Sequence, residues 1–217
     1  MSYGPADFGS VLQGVGSIGG AIAVCVAAWF ASNSFDGWRK QKISERRIEQ
    51  AERILTATYN VRRGLNRVRS SVIYGHERIA AEEKLKADGN WPASKEAQRR
   101  ISNQQLFYTR LSNESESIQK VEECLPMARA LFGEELEKAL EVLTDQFYTV
   151  KICADWYAED PRHNTHEDNH KIRSGMYHGF GAHSSGNEVD EIIAAQVKLV
   201  EDICVPVLRL EGIGKRY

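Results

Sequence analysis

Residues 166–170 read His-Glu-Asp-Asn-His, which fits the H-E-x-x-H pattern. On a helix, histidines at i and i+4 project to one side and can share a zinc ion, leaving the intervening glutamate to take a proton from zinc-bound water. The chemistry that would follow is metal-assisted hydrolysis. Five of the six histidines (His163, His166, His170, His178 and His183) fall in this one stretch of chain, so further nitrogen ligands are near at hand.

Glu188, after Asn187, follows the motif at a distance that resembles the third-ligand glutamate of the thermolysin-like, or gluzincin, peptidases. That resemblance implies His166, His170 and Glu188 as zinc ligands and Glu167 as general base. Three features depart from it. The family's motif lies on a helix backed by the core, with uncharged and mostly apolar residues at the x positions, whereas Asp168 and Asn169 stand there in this chain. Neither the lead-in, Pro161 to Thr165, nor the continuation, Lys171 to Gly175, carries an apolar stripe. No run alternates as a strand would, so the sheet edge on which such enzymes align substrate has no source. Residues 161–187 therefore read as a polar, histidine-rich loop, and no catalytic residue, metal ligand or cofactor is assigned.

Other chemistries find less support. There is no G-x-x-x-x-G-K-[ST] loop, and Gly14, Gly16 and Gly19 match part of a dinucleotide fingerprint only inside an apolar stretch. The four cysteines, Cys25, Cys124, Cys153 and Cys204, are far apart and form no C-x-x-C pair, a pattern expected of small apolar residues in a reducing compartment. Cys124, beside Glu122 and Glu123, is not expected to be an activated thiol. A net charge of −2 over 217 residues gives no general affinity for polyanions; with no recognised nucleic-acid module, nucleic acid is not an expected partner.

The elements that would position any site begin with residues 8–35, which contain no charged side chain between Asp7 and Asp36. At 1.5 Å per residue this run is long enough for a hydrocarbon layer of about 30 Å, and a transmembrane helix is expected. The preceding residues carry no Lys or Arg, unlike a secretory signal. Arg39, Lys40, Lys42, Arg46 and Arg47 follow it, which predicts a cytoplasmic body and an N-terminus outside. Trp29, Phe30, Phe35 and Trp38 suit the headgroup boundary. Gly16, Gly19, Gly20, Ala23, Ala27 and Ala31 form a small-residue stripe that would let a second membrane helix pack closely, so self-association or pairing with another membrane protein is expected.

Beyond the span, Ala51, Ile54, Thr58, Val61, Leu65, Val68 and Val72 step by threes and fours, a near-heptad, coiled-coil-like seam on a helix continuing from the membrane. A second helical stretch runs from Ser94 to Phe132 with a kink or break at Pro126, a third from Leu136 to Tyr157 and a fourth from Glu188 to Leu208. Long loops are expected at 75–93 and 161–187, and long loops in compact domains tend to be functional or mobile. The fold class is all-α: a transmembrane helix continuing into a cytoplasmic antiparallel bundle of about four helices. The boundaries are a tail at 1–7, the span at 8–35, the bundle at 36–210 and a tail at 211–217.

The first helix beyond the span is strongly basic. Its nearer charges can attract anionic lipid, but Arg62, Arg63, Arg67 and Arg69 would lie roughly 35 to 50 Å further along a straight helix. They form a candidate basic partner face unless acidic residues of neighbouring helices, such as Glu114 or Glu123, take them up.

The exit segment, with Trp38, Lys40 and Lys42, then Glu45, Arg46, Arg47 and Glu49, then Ala51, Glu52 and Leu55, resembles that of bacterial single-span inner-membrane proteins with a similar W-x-K-x-K, E-R-R-x-E, A-E-x-x-L cadence. The resemblance implies an inner-membrane location and no particular activity. The functional expectation is a noncatalytic, membrane-tethered interaction or scaffold protein, with a gluzincin-like peptidase and an oligomerising membrane effector as the alternatives.

Overall fold

The computed structural model describes residues 5–159, 165–180 and 186–210, and the side chains of these except 5–22, 31–33 and 36. Helical periodicity governs all of it. Among the described residues there are eight helices and no strand: α1 (Pro5–Val68), α2 (Gly75–Ala87), α3 (Lys95–Asn113), α4 (Ser115–Glu122), α5 (Leu125–Phe132), α6 (Glu134–Ala158), α7 (His166–Met176) and α8 (Glu188–Leu208). The chain divides into two units, Met1–Arg47 and Ile48–Tyr217, so α1 contributes to both.

In the first unit, the described large apolar side chains Val24, Val26, Trp29, Phe30, Phe35, Trp38 and Ile43 are all exposed. Ala23 and Ala27 of the small-residue stripe are exposed as well. The side chains of Ala31 and of the stripe's three glycines, Gly16, Gly19 and Gly20, lie outside the described residues, as does much of the expected span. Among the described residues no helix is long and apolar enough to cross a membrane.

The second unit is a helical bundle with one apolar core. The α1 seam enters it as read from the sequence: Ala51, Ile54, Thr58, Val61, Leu65 and Val68 are buried. Val72, the last residue of that expected seam, lies beyond the helix end and is exposed. α6 is the central element, packing against α3, α4, α5, α7 and α8 and burying Leu136, Leu140, Leu143, Phe147, Val150 and Ala154. Where α3 crosses α6, Asp155 accepts hydrogen bonds from the Tyr108 hydroxyl and from Gln104 (2.8 Å), and Lys151 pairs with it at 3.0 Å.

Three expectations change. The stretch from Ser94 to Phe132 is three helices rather than one kinked at Pro126 or two divided there, and the first break falls at Glu114, twelve residues before Pro126. Glu114 is drawn inward, 5% exposed, to accept two hydrogen bonds from Arg67, each 2.8 Å. Gly64 leaves room for this carboxylate, since a Cβ there would meet Glu114 Oε2 at 2.5 Å and push it aside. Pro126 sits in the first turn of α5, where its missing N–H has no helical acceptor to lose.

The supposed loops at 75–93 and 161–187 contain α2 and α7. α2 buries only Ala81 and Leu85, too little apolar surface to leave a periodic signal, and owes its start to Glu77, whose carboxylate accepts from Tyr74 N at 3.0 Å. α7 begins with cap chemistry: Thr165 Oγ1 accepts from Asp168 N (3.1 Å) while Asp168 Oδ2 accepts from Thr165 N (2.9 Å). Its buried residues, Ile172, Ser174, Gly175 and Met176, are confined to its second half.

Candidate functional site

The H-E-x-x-H segment does lie on a helix, and its polar residues serve that helix. Asp168 completes the N-terminal capping box, and Glu167 pairs with Lys171 one turn on, at 2.8 Å. His166 is exposed, and the His170 ring lies 5.6 Å from that of Phe180. Glu188 is exposed in the first turn of α8, while its neighbour Asn187 caps that helix by accepting from Asp190 N at 3.1 Å. Among the described residues no group of three or more His, Cys, Asp or Glu side chains could hold a metal ion. His163 and His183 lie outside the described residues.

The four arginines expected to share a basic face are divided. Arg62 and Arg63 are exposed. Arg67 is held in the fork with Glu114, and nearer the start of the unit Arg53 meets Glu123 at 2.9 Å. Arg69 is fully buried. It donates from Nε to Gly175 O (2.9 Å), from Nη2 to Ser174 O (2.7 Å) and Asn187 Oδ1 (3.1 Å), and from Nη1 to Asp190 Oδ1 (2.5 Å). Asp190 also accepts from Gly179 N at 2.8 Å and lies 2.9 Å from His178 Nδ1. Burial alone would raise the Asp190 carboxyl, but the Gly179 N–H, His178 and Arg69 together hold it below the ordinary carboxylate range. Asn187 closes the node by donating to Ser174 O, Tyr177 O and Phe180 O.

A second arginine does comparable work on the other side of the α1–α2 link. Arg110, on α3, donates to Ser70 O (2.8 Å) and Val72 O (2.7 Å) and grips Glu77 with two bonds of 3.0 and 2.8 Å. Through these contacts Glu77 is held below its usual carboxylate value, the Arg110 hydrogen bond being the main cause. Arg110 thus fixes the irregular segment 69–74, and Arg69 together with Asn187 fixes the irregular segment 177–180 and the helix end before it, by satisfying backbone carbonyls from within.

Those two segments form walls of a pocket of about 460 Å³. Ser71 and Ile73 come from the first, Tyr177, His178, Gly179 and Phe180 from the second; Arg78 is supplied by α2, Arg99 and Asn103 by α3, Tyr157 by α6 and Arg173 by α7. A smaller cavity of about 230 Å³ shares Arg78, Arg99 and Asn103 and adds Glu82, Trp91, Lys95, Gln98 and Ser102. Arg78, Arg99 and Arg173 are exposed, and among the described residues none has an acidic partner within ion-pair distance. Burial raises the Tyr177 phenol, and Arg173, Arg110 and Arg99 pull it back, which places their positive charge around that ring.

No family model, curated protein or solved structure matches the chain. The site must therefore be read from its own chemistry.

The pocket residues escaped sequence reading because they are spread over four helices and two connecting segments and no spacing links them. One signal did point there. The two stretches singled out as long loops supply Arg78 on one side and Arg173, Tyr177 and Phe180 on the other, and they meet at this pocket. The cysteines take no part: burial pushes the Cys153 thiol up to about 11 and Cys204 to about 12, and it raises Cys124 too, Glu123 adding to the effect and Arg53 opposing it.

Proposed function

We propose that the protein is a membrane-tethered, noncatalytic interaction protein, with residues 8–35 in the bilayer and a helical bundle presented at the cytoplasmic face. The observation that carries this reading is the uncharged run between Asp7 and Asp36, followed at once by Arg39, Lys40, Lys42, Arg46 and Arg47. The exposure of Val24, Val26, Trp29, Phe30 and Phe35 on α1 supports it, because so many large apolar side chains facing water would be costly and facing lipid would be stabilised. Pairing between copies would use Gly16, Gly19, Gly20, Ala23, Ala27 and Ala31, since small residues let helix backbones approach closely.

Alkaline extraction of membranes from cells expressing the full chain tests the tether. The expected result is retention in the membrane pellet, with a C-terminal reporter active only on the cytoplasmic side. Release into the aqueous fraction, or labelling of the C-terminal reporter from outside, would refute it. Crosslinked dimer is expected to fall several-fold in a Gly16→Ile, Gly20→Ile variant.

A further inference from the structure

Tethering makes no use of the arginine-lined pocket, which lies wholly within the second unit. Arg78, Arg99 and Arg173 come from three different helices and converge on one cavity that no carboxylate lines among the described residues. Guanidinium groups held near one another repel, and among the described residues no carboxylate comes within ion-pair distance of these three, Glu82 lying in the wall of the adjoining cavity, whereas Arg53, Arg67, Arg69 and Arg110 each have their carboxylate. A bound anion would. The planar guanidinium fork suits phosphate oxygens, which it can grip with two parallel bonds. The rest of the wall has another character: Tyr157, Tyr177 and Phe180 offer ring surface on which a planar group can stack.

The adjoining cavity supplies an independent observation. Ser102, 6% exposed, lines it, and its Oγ is buried without a hydrogen-bond partner. Buried hydroxyls are nearly always paired, so an unpaired one in a cavity wall is a donor that a turn of the side chain brings to a ligand atom. Lys95 and Trp91 add a further cation and a further ring on that side, Lys86 lying over the Trp91 ring at 4.8 Å. A volume of about 460 Å³ is within the range of small-molecule sites.

From this lining we propose that the pocket binds a phosphorylated small molecule bearing a planar ring, a mononucleotide being the fitting class. Arg78, Arg99 and Arg173 hold the phosphates, Tyr157 or Phe180 stacks on the ring, and Ser102 donates its hydroxyl to the ligand. The chain has no glycine-rich phosphate loop, so side chains carry the recognition that backbone N–H groups supply in such loops.

The test is calorimetric titration of the full chain, purified in detergent, with ATP and with inorganic pyrophosphate. ATP is expected to bind at least about tenfold more tightly than pyrophosphate, because only ATP brings a ring. Arg99→Ala and Arg173→Ala, both at exposed positions, are each expected to weaken ATP about tenfold or more with helix content unchanged. Ser102→Ala should weaken ATP several-fold while leaving the ligand-free protein at least as stable. Arg62→Ala, an exposed arginine outside the pocket, serves as the charge control and should change affinity by less than about twofold. The proposal is overturned by absence of ATP binding, by pyrophosphate binding as tightly as ATP, or by Arg62→Ala weakening ATP as much as Arg99→Ala. Failure of the tether would leave this result untouched, since the pocket uses no residue before Ser71.

Discussion

Arg69 and Arg99 carry the same side chain in opposite circumstances. Arg69 is fully buried, with its donors spent on carbonyls, Asn187 and Asp190; Arg99 is exposed in a cavity that no carboxylate lines among the described residues. The contrast extends to their neighbours, Arg110 resembling the first and Arg78 and Arg173 the second. It teaches that arginine is used for two purposes here. The buried pair hold irregular backbone in place, and that backbone then frames a pocket where the other three have no acidic partner among the described residues. Structural arginines should therefore register in stability, and pocket arginines in ligand binding alone.

The largest effect expected is from breaking the Arg69 node. Arg69→Ala removes the arginine partner of half-buried Asp190, the donor to Gly175 O and one of the two donors to Ser174 O, which should cost about 3–5 kcal/mol. Chemical denaturation checks this, with Arg99→Ala measured alongside and expected to stay within about 0.5 kcal/mol of the parent. A smaller loss follows from crowding the same region. A Cβ at residue 175 would overlap Cys153 Sγ, so Gly175→Ala should cost about 1–3 kcal/mol, with part of the loss recovered when Cys153→Ala is added.

Acid should separate the regions as well. The carboxyls of Asp190 and Glu77 titrate below their unfolded values, so the stability they contribute is fully present above pH ~4 and is lost as pH falls through their lower folded values. Stability measured from pH 5 downward is expected to drop more steeply in the parent than in Asp190→Asn, which has already lost that proton-linked contribution. The smallest effect belongs to Glu167→Gln. It removes an exposed one-turn pair with Lys171, and its midpoint of denaturation should match the parent within error.

The sequence was informative where one element buries one stripe. The seams of α6 and of α1 beyond Ile48 could be read residue by residue, because a 3.6-residue period with few polar interruptions leaves little choice of face. It was silent where polar residues do structural work. Glu114 looks like one acidic residue in an acidic run, yet it ends α3 and is buried against Arg67 and Gly64. Asp168 counted against a zinc site by its polarity, and its actual task, capping α7, depends on Thr165 rather than on any metal. Arg69 was grouped with Arg62, Arg63 and Arg67 as one basic face because sequence distance along a helix cannot register that the helix has ended at Val68. The pocket was the least legible part, since its residues share a location only after four helices and two connecting segments have packed.

The division of labour between buried and open arginines is tested most directly by measuring unfolding and ATP binding on the same preparations of the parent, Arg69→Ala and Arg99→Ala. The account predicts that Arg69→Ala loses stability by several kcal/mol, and that Arg99→Ala keeps the parent's stability but loses affinity for ATP about tenfold or more. An Arg99→Ala protein that binds ATP like the parent, or that unfolds as readily as Arg69→Ala, would contradict it.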